Sequence, residues 1–102
     1  DPYGGSTPEE TLQLFIDALK KGDTDLAAKY FIIDKQEEWR ADLSKIAERN
    51  LLGEMVRDLE RAELTLKSDT AFFSLVGADN TVESELVMHK SEASGRWKIT
   101  EL

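Results

Sequence analysis

The chain has 102 residues, enough for one compact domain and too few for two. With 40% hydrophobic and 33% charged residues it suits a folded soluble domain, and its formal net charge of -8 repels nucleic acid and anionic membranes as partners. The absence of cysteine excludes disulfides, thiolate metal sites and a cysteine nucleophile, and no apolar run approaches the roughly 20 residues that span a bilayer.

The opening DPYGGSTPEE carries no Met and no signal-peptide core, so residues 1–6 are expected to form a flexible leader ahead of a single domain over 7–102. A removed export or lipid-anchor segment is compatible with that start. In STPEETLQLFIDALKKGD, Thr7 suits an N-cap, Pro8 the first helical position and Glu10 the far side of a capping box. Leu12, Phe15, Ile16 and Leu19 then form one apolar stripe, and Gly22 supplies a left-handed stop. Asp23 or Thr24 caps a short second helix carrying Leu26, Ala27, Tyr30 and Phe31 at helical spacing. Asp34 with Glu37 reads as another box-like start, and Trp39, Leu43 and Ile46 mark the buried side of a longer helix. Asn50 and Gly53 interrupt the pattern, which predicts a break near Asn50 before Leu52, Met55, Val56 and Leu59 resume it.

From Glu63 the period changes from 3.6 to 2. ELTLKS alternates through Leu64 and Leu66, while TAFFSLV is apolar on both faces. TVESELVMHK sets Val82, Ser84, Leu86 and Met88 against Glu83, Glu85 and His89, and RWKITEL sets Trp97 and Ile99 against Lys98 and Thr100. The separators GADN and SEASG are turn formers, so the strands are expected as hairpins. Three or four helices followed by four strands predict an α+β fold, with helices on one face of an antiparallel meander.

FIDALKKGDTDLAAKYF, residues 15–31, resembles the opening of domains of the nuclear transport factor 2-like superfamily, and GRWKITEL resembles the last strand of its small exported members. That resemblance implies a strongly curved sheet wrapped into a cone whose open end holds a ligand pocket. It also implies an extracytoplasmic, periplasmic or membrane-anchored bacterial protein, with Leu102 at or near the natural finish. Steroid-isomerase members of the superfamily carry a tyrosine where this chain has Phe15, and a general-base carboxylate near the position of Arg40. Neither functional residue is present, so that activity is not carried over.

His89 is the only histidine and alternation puts it on the charged strand face, where a surface role is expected. Asp23 and Asp25 lack the later ligands of a calcium loop and read as helix caps. Glu60 and Glu63, with Arg57 and Arg61 alongside, read as an exposed, charge-laced helix, and no cofactor or metal is expected. If the cone has a cavity, Tyr30, Trp39 and Trp97 are its candidates, for a small apolar ligand. Phe72, Phe73, Leu75 and Val76 are the candidate interface, because a two-sided strand cannot hide both faces under one helical layer, and either a homodimer or a sheet-to-partner contact through the outer sheet face is expected from it. The functional expectation is a non-catalytic binding module, with a small isomerase or dehydratase as the alternative.

Overall fold

The computed structural model describes residues 2–77, 79 and 82–102, with Glu83 described by its backbone alone. Thr7 opens the first helix as its spacing predicts: its Oγ1 accepts the Glu10 N–H at 3.1 Å, and α1 runs Pro8–Lys20. The helix closes through two reversed bonds, Gly22 N–H to Leu19 C=O and Asp23 N–H to Ala18 C=O, both 3.0 Å, with Gly22 at φ +72°. Asp23, not Thr24, then caps α2 (Thr24–Ala28) by accepting the Leu26 N–H. The helical spacing of Tyr30 and Phe31 extends past the helix itself, which has already ended.

The third helix, α3 (Ile33–Glu48), does not begin on the expected Asp34–Glu37 box. Its N-cap position is Ile32, which has no side-chain oxygen to offer. Gln36 instead reaches back to the Phe31 C=O at 3.0 Å, and Glu37 pairs with Arg40 one turn on. The break near Asn50 is present. Asn50 takes φ +59°, and its N–H bonds Ala47 while Leu51 N–H bonds Ile46, the same closure that Gly22 gives α1. Helix α4 (Leu52–Glu60) follows, so the helices number four among the described residues.

The strands are β1 (Glu63–Lys67), β2 (Thr70–Val76), β3 (Val82–Lys90) and β4 (Trp97–Glu101), in an antiparallel sheet of order β1-β2-β3-β4. Ser68, at φ +55°, and Asp69 join β1 to β2. The pairing shifts between Leu75 and Val76 and between Val87 and Met88. Residues 78 and 80 of the GADN separator lie outside the described residues. Helix residues Leu12, Phe15, Ile16, Leu19, Val56 and Leu59 meet Ala71, Phe73, Leu86, Met88, Trp97 and Ile99 in one core. The expected partition of β3 holds for Leu86 and Met88, whereas Val82 and Ser84 are exposed at the strand's beginning.

The far edge of β4 is not open. Trp97 N–H bonds Gly5 C=O at 2.9 Å, Ile99 N–H bonds Tyr30 C=O at 2.8 Å, and Ile32 N–H bonds Ile99 C=O at 2.9 Å. Residues 3–5, within the expected leader, therefore lie against the sheet, and Gly4 and Gly5 are buried. Gly4 sits at φ +116°, and a Cβ there would stand 2.6 Å from the Trp97 carbonyl, so the contact requires glycine. Thr11, fully buried on α1, completes it: its hydroxyl donates to Trp97 C=O at 2.9 Å and accepts Gly5 N–H at 2.8 Å. Thr11→Val keeps the shape of the side chain but strands both backbone groups. Urea unfolding should show a loss of about 1–3 kcal/mol, and an unchanged midpoint would mean that the hydroxyl does not hold the leader.

Candidate functional site

Short aromatic contacts surround the candidate pocket residues. Phe31 is fully buried, meets the Phe15 ring edge-on at 5.6 Å and stacks on Trp39 at 5.1 Å with 14° between planes. Tyr30 meets Tyr3 edge-on at 6.2 Å, and Trp97 is buried beneath the leader that its N–H bonds. The structure thus places Tyr30, Trp39 and Trp97 in packing contacts within or beside the core. Burial raises the Tyr30 phenol above its ordinary pKa, helped by Tyr3 and by the carboxylates of Asp17 and Asp23.

The candidate interface residues divide between the two sheet faces. Phe73 is buried against the helices, and Leu75 packs beside it. Leu75 also lines a groove of about 270 Å³ with Ile46, Leu51, Met55, Leu59 and Leu102, rimmed by Glu54 and Asp58. Phe72 and Val76 turn the other way and are half-buried. In the strand register Phe72 lies opposite Val87 on β3 and Thr65 on β1. Glu85 and His89 are exposed on the same face, with Thr70 Oγ1 3.2 Å from His89 Nδ1.

Lys98 is the residue that alternation misplaces. It stands opposite Trp97 and Ile99, as expected, yet it is only 6% exposed. Its Nζ donates to Lys29 C=O at 2.6 Å and to Tyr3 C=O at 3.3 Å, while Arg96 Nη1 donates to Gly4 C=O at 2.8 Å. Lys98 of β4 and Arg96 just before it thereby hold the leader and the segment after α2. Lys98 also lines an open concavity of about 460 Å³ with Ile32, Ile33, Asp34, Ser91 and Ser94, where Ile33 is 74% exposed. Burial, and then the neighbouring Arg96 charge, lower the Lys98 pKa to about 8. No sequence period signals this burial. The one local hint is Gly4-Gly5, which permits a backbone to approach closely.

Among the described residues no cluster of His, Asp and Glu could hold a metal ion, and no helix is long and apolar enough to cross a membrane. Asp23 is a helix cap, Asp25 is exposed, and Glu60 pairs with Lys20 at 3.1 Å and not with Glu63, which begins β1. Compared with known proteins, the chain matches no family model, no curated relative and no solved structure.

Because the Lys98 pKa falls in the folded state, the native chain binds fewer protons than the unfolded one between pH of about 8 and 10.5. The Lys98 contribution to stability therefore rises with pH across that window and is least favourable below it. Wild-type unfolding free energy, taken as its difference from Lys98→Met, should climb from pH 8 to pH 10. A difference that stays flat across the window would refute the lowered amine pKa.

Proposed function

We propose that this chain is a non-catalytic binding or interaction module that meets its partner through the outer face of the sheet. The observation that carries this reading is the half-buried Phe72, with Val87 beside it and Val76 further along the strand, on the face turned away from the helices. An apolar centre ringed by Thr65, Glu85 and His89 has the make-up of an interaction surface, apolar within and polar at the rim.

The isomerase or dehydratase alternative needs a carboxylate held in a cavity with a raised pKa. The carboxylates of Asp34 and Asp58, which line surface concavities, are exposed, and the ring of Trp39 is stacked on Phe31 within the helical layer. These placements favour binding over proton transfer. A small apolar ligand, in this reading, takes the groove lined by Ile46, Leu51, Met55 and Leu75.

Kinship with the nuclear transport factor 2-like superfamily, including its curled cone, belongs to the same proposal. Its support is the order of four helices before a four-strand antiparallel meander, together with the FIDALKKGD and GRWKITEL segments. An extracytoplasmic or membrane-anchored setting rests on that resemblance alone.

Phe72→Glu should cost about 1 kcal/mol or less, as substitutions at partly exposed positions do. Phe73→Glu, one residue on, should abolish folding by burying a carboxylate in the core. Proteins retained by the immobilised wild-type domain should be lost from folded Phe72→Glu. The same retained set from both would move the contact surface elsewhere.

A further inference from the structure

The two borders of the sheet differ. Beyond β4, the leader and residues 30–32 occupy the backbone groups. Beyond β1, no backbone bond from outside the sheet reaches Glu63–Lys67 among the described residues. β1 is thus the open border, and its side chains have a particular symmetry.

We propose that two copies of this chain pair antiparallel along β1, about a two-fold axis through Thr65. In that register Glu63 faces Lys67 of the second copy, Leu64 faces its Leu66, and Thr65 faces its Thr65. ELTLK is therefore complementary to itself in charge and in polarity. Charged residues on a short border strand ordinarily keep borders apart. Here the signs are opposite and equidistant from the centre, so the same residues attract.

The backbone agrees with this register. Lys67 and Thr70 close a two-residue hairpin, so they form a hydrogen-bonded pair, and alternate residues Thr65 and Glu63 also turn their backbone groups toward β2. Leu64 and Leu66 consequently point their N–H and C=O groups outward. With Thr65 at the centre, Leu64 exchanges both bonds with Leu66 of the second copy, and no outward group in the paired stretch is missed.

Side chains supply the second half of the fit. Leu66 is 55% exposed on the helix-side face. A groove of about 410 Å³ opens beside Leu64, lined by Leu12, Ile16, Leu59, Ala62 and Phe73. The proposed register brings Leu66 of the second copy to the mouth of that groove. A ladder this short falls below the roughly 1,200 Å² of standard interfaces, which places the dimer in the weak, reversible class. This pairing is independent of what docks on the outer face, since Phe72 takes no part in the ladder.

Sedimentation velocity at physiological salt, from tens to hundreds of micromolar, tests it. The wild type should show a concentration-dependent dimer. Lys67→Glu and Glu63→Lys should each weaken it roughly tenfold, because like charges then stand opposite at both ends of the ladder. The double variant Glu63→Lys with Lys67→Glu should recover wild-type association. Leu66→Pro removes an outward N–H without touching the β2 ladder and should abolish the dimer, with circular dichroism checking the fold. A wild type that stays monomeric throughout overturns the proposal. So does a dimer indifferent to the charge swaps, and one lost with Phe72→Glu but kept with Lys67→Glu would belong to the outer face.

Discussion

On the side of β4 that faces away from β3, the backbone of Trp97 and Ile99 is bonded to Gly5, Tyr30 and Ile32. Those bonds come from the segment ahead of α1 and from the link between α2 and α3, and they meet the last strand of the sheet. A border strand in an open sheet normally leaves a row of donors and acceptors to water. Here the row is satisfied from within, and the molecule becomes asymmetric: closed at β4 and open at β1. Thr11, Arg96 and Lys98 reinforce the closed side with side-chain bonds to the same backbone stretches. Losing the Thr11 hydroxyl leaves a buried carbonyl and a buried amide short of a partner, which costs more than the bond itself contributes.

The same closure determines what the interior can hold. Bridging Phe31 to Ile99 draws the Phe31 ring between Phe15 and Trp39, and those three rings occupy the centre of the helical layer. Large aromatic side chains at such separations fill space that a ligand would otherwise enter. The concavities lie at the periphery, at Lys98 and beside Leu64 and Leu75, and the binding role proposed for the chain would fall there or on the outer sheet face. Each is shallow and open, which suits contact with another macromolecule better than enclosure of a small substrate.

Much of this architecture was legible in the chain. Period 3.6 giving way to period 2 located three or four helices and four strands, and the Thr7, Asp23, Gly22 and Asn50 signals worked because each supplies a bond or a dihedral that the helix end requires. The Asp34–Glu37 pattern misled, since a box is only as good as the backbone position on which it falls. The Phe72–Phe73 ambiguity was inherent: an apolar pair states that both faces are apolar and not which is the core. Lys98 was illegible for a deeper reason. Alternation gives the face of a strand but is blind to a distant segment that later covers that face, and only the fold brings Tyr3 and Lys29 there.

Charge sets the final constraint on how such a surface can act. Two copies at -8 each repel one another, by roughly 9 kcal/mol at a separation of about 30 Å in unscreened water. At physiological salt the Debye length is about 8 Å, and most of that repulsion disappears. An ion pair such as Glu63 with Lys67 of a second copy acts at about 4 Å, well inside the screening distance. Salt therefore removes the obstacle to association faster than it removes the attraction. The self-pairing proposed along β1 is accordingly local, short and governed by the few positions where opposite charges meet.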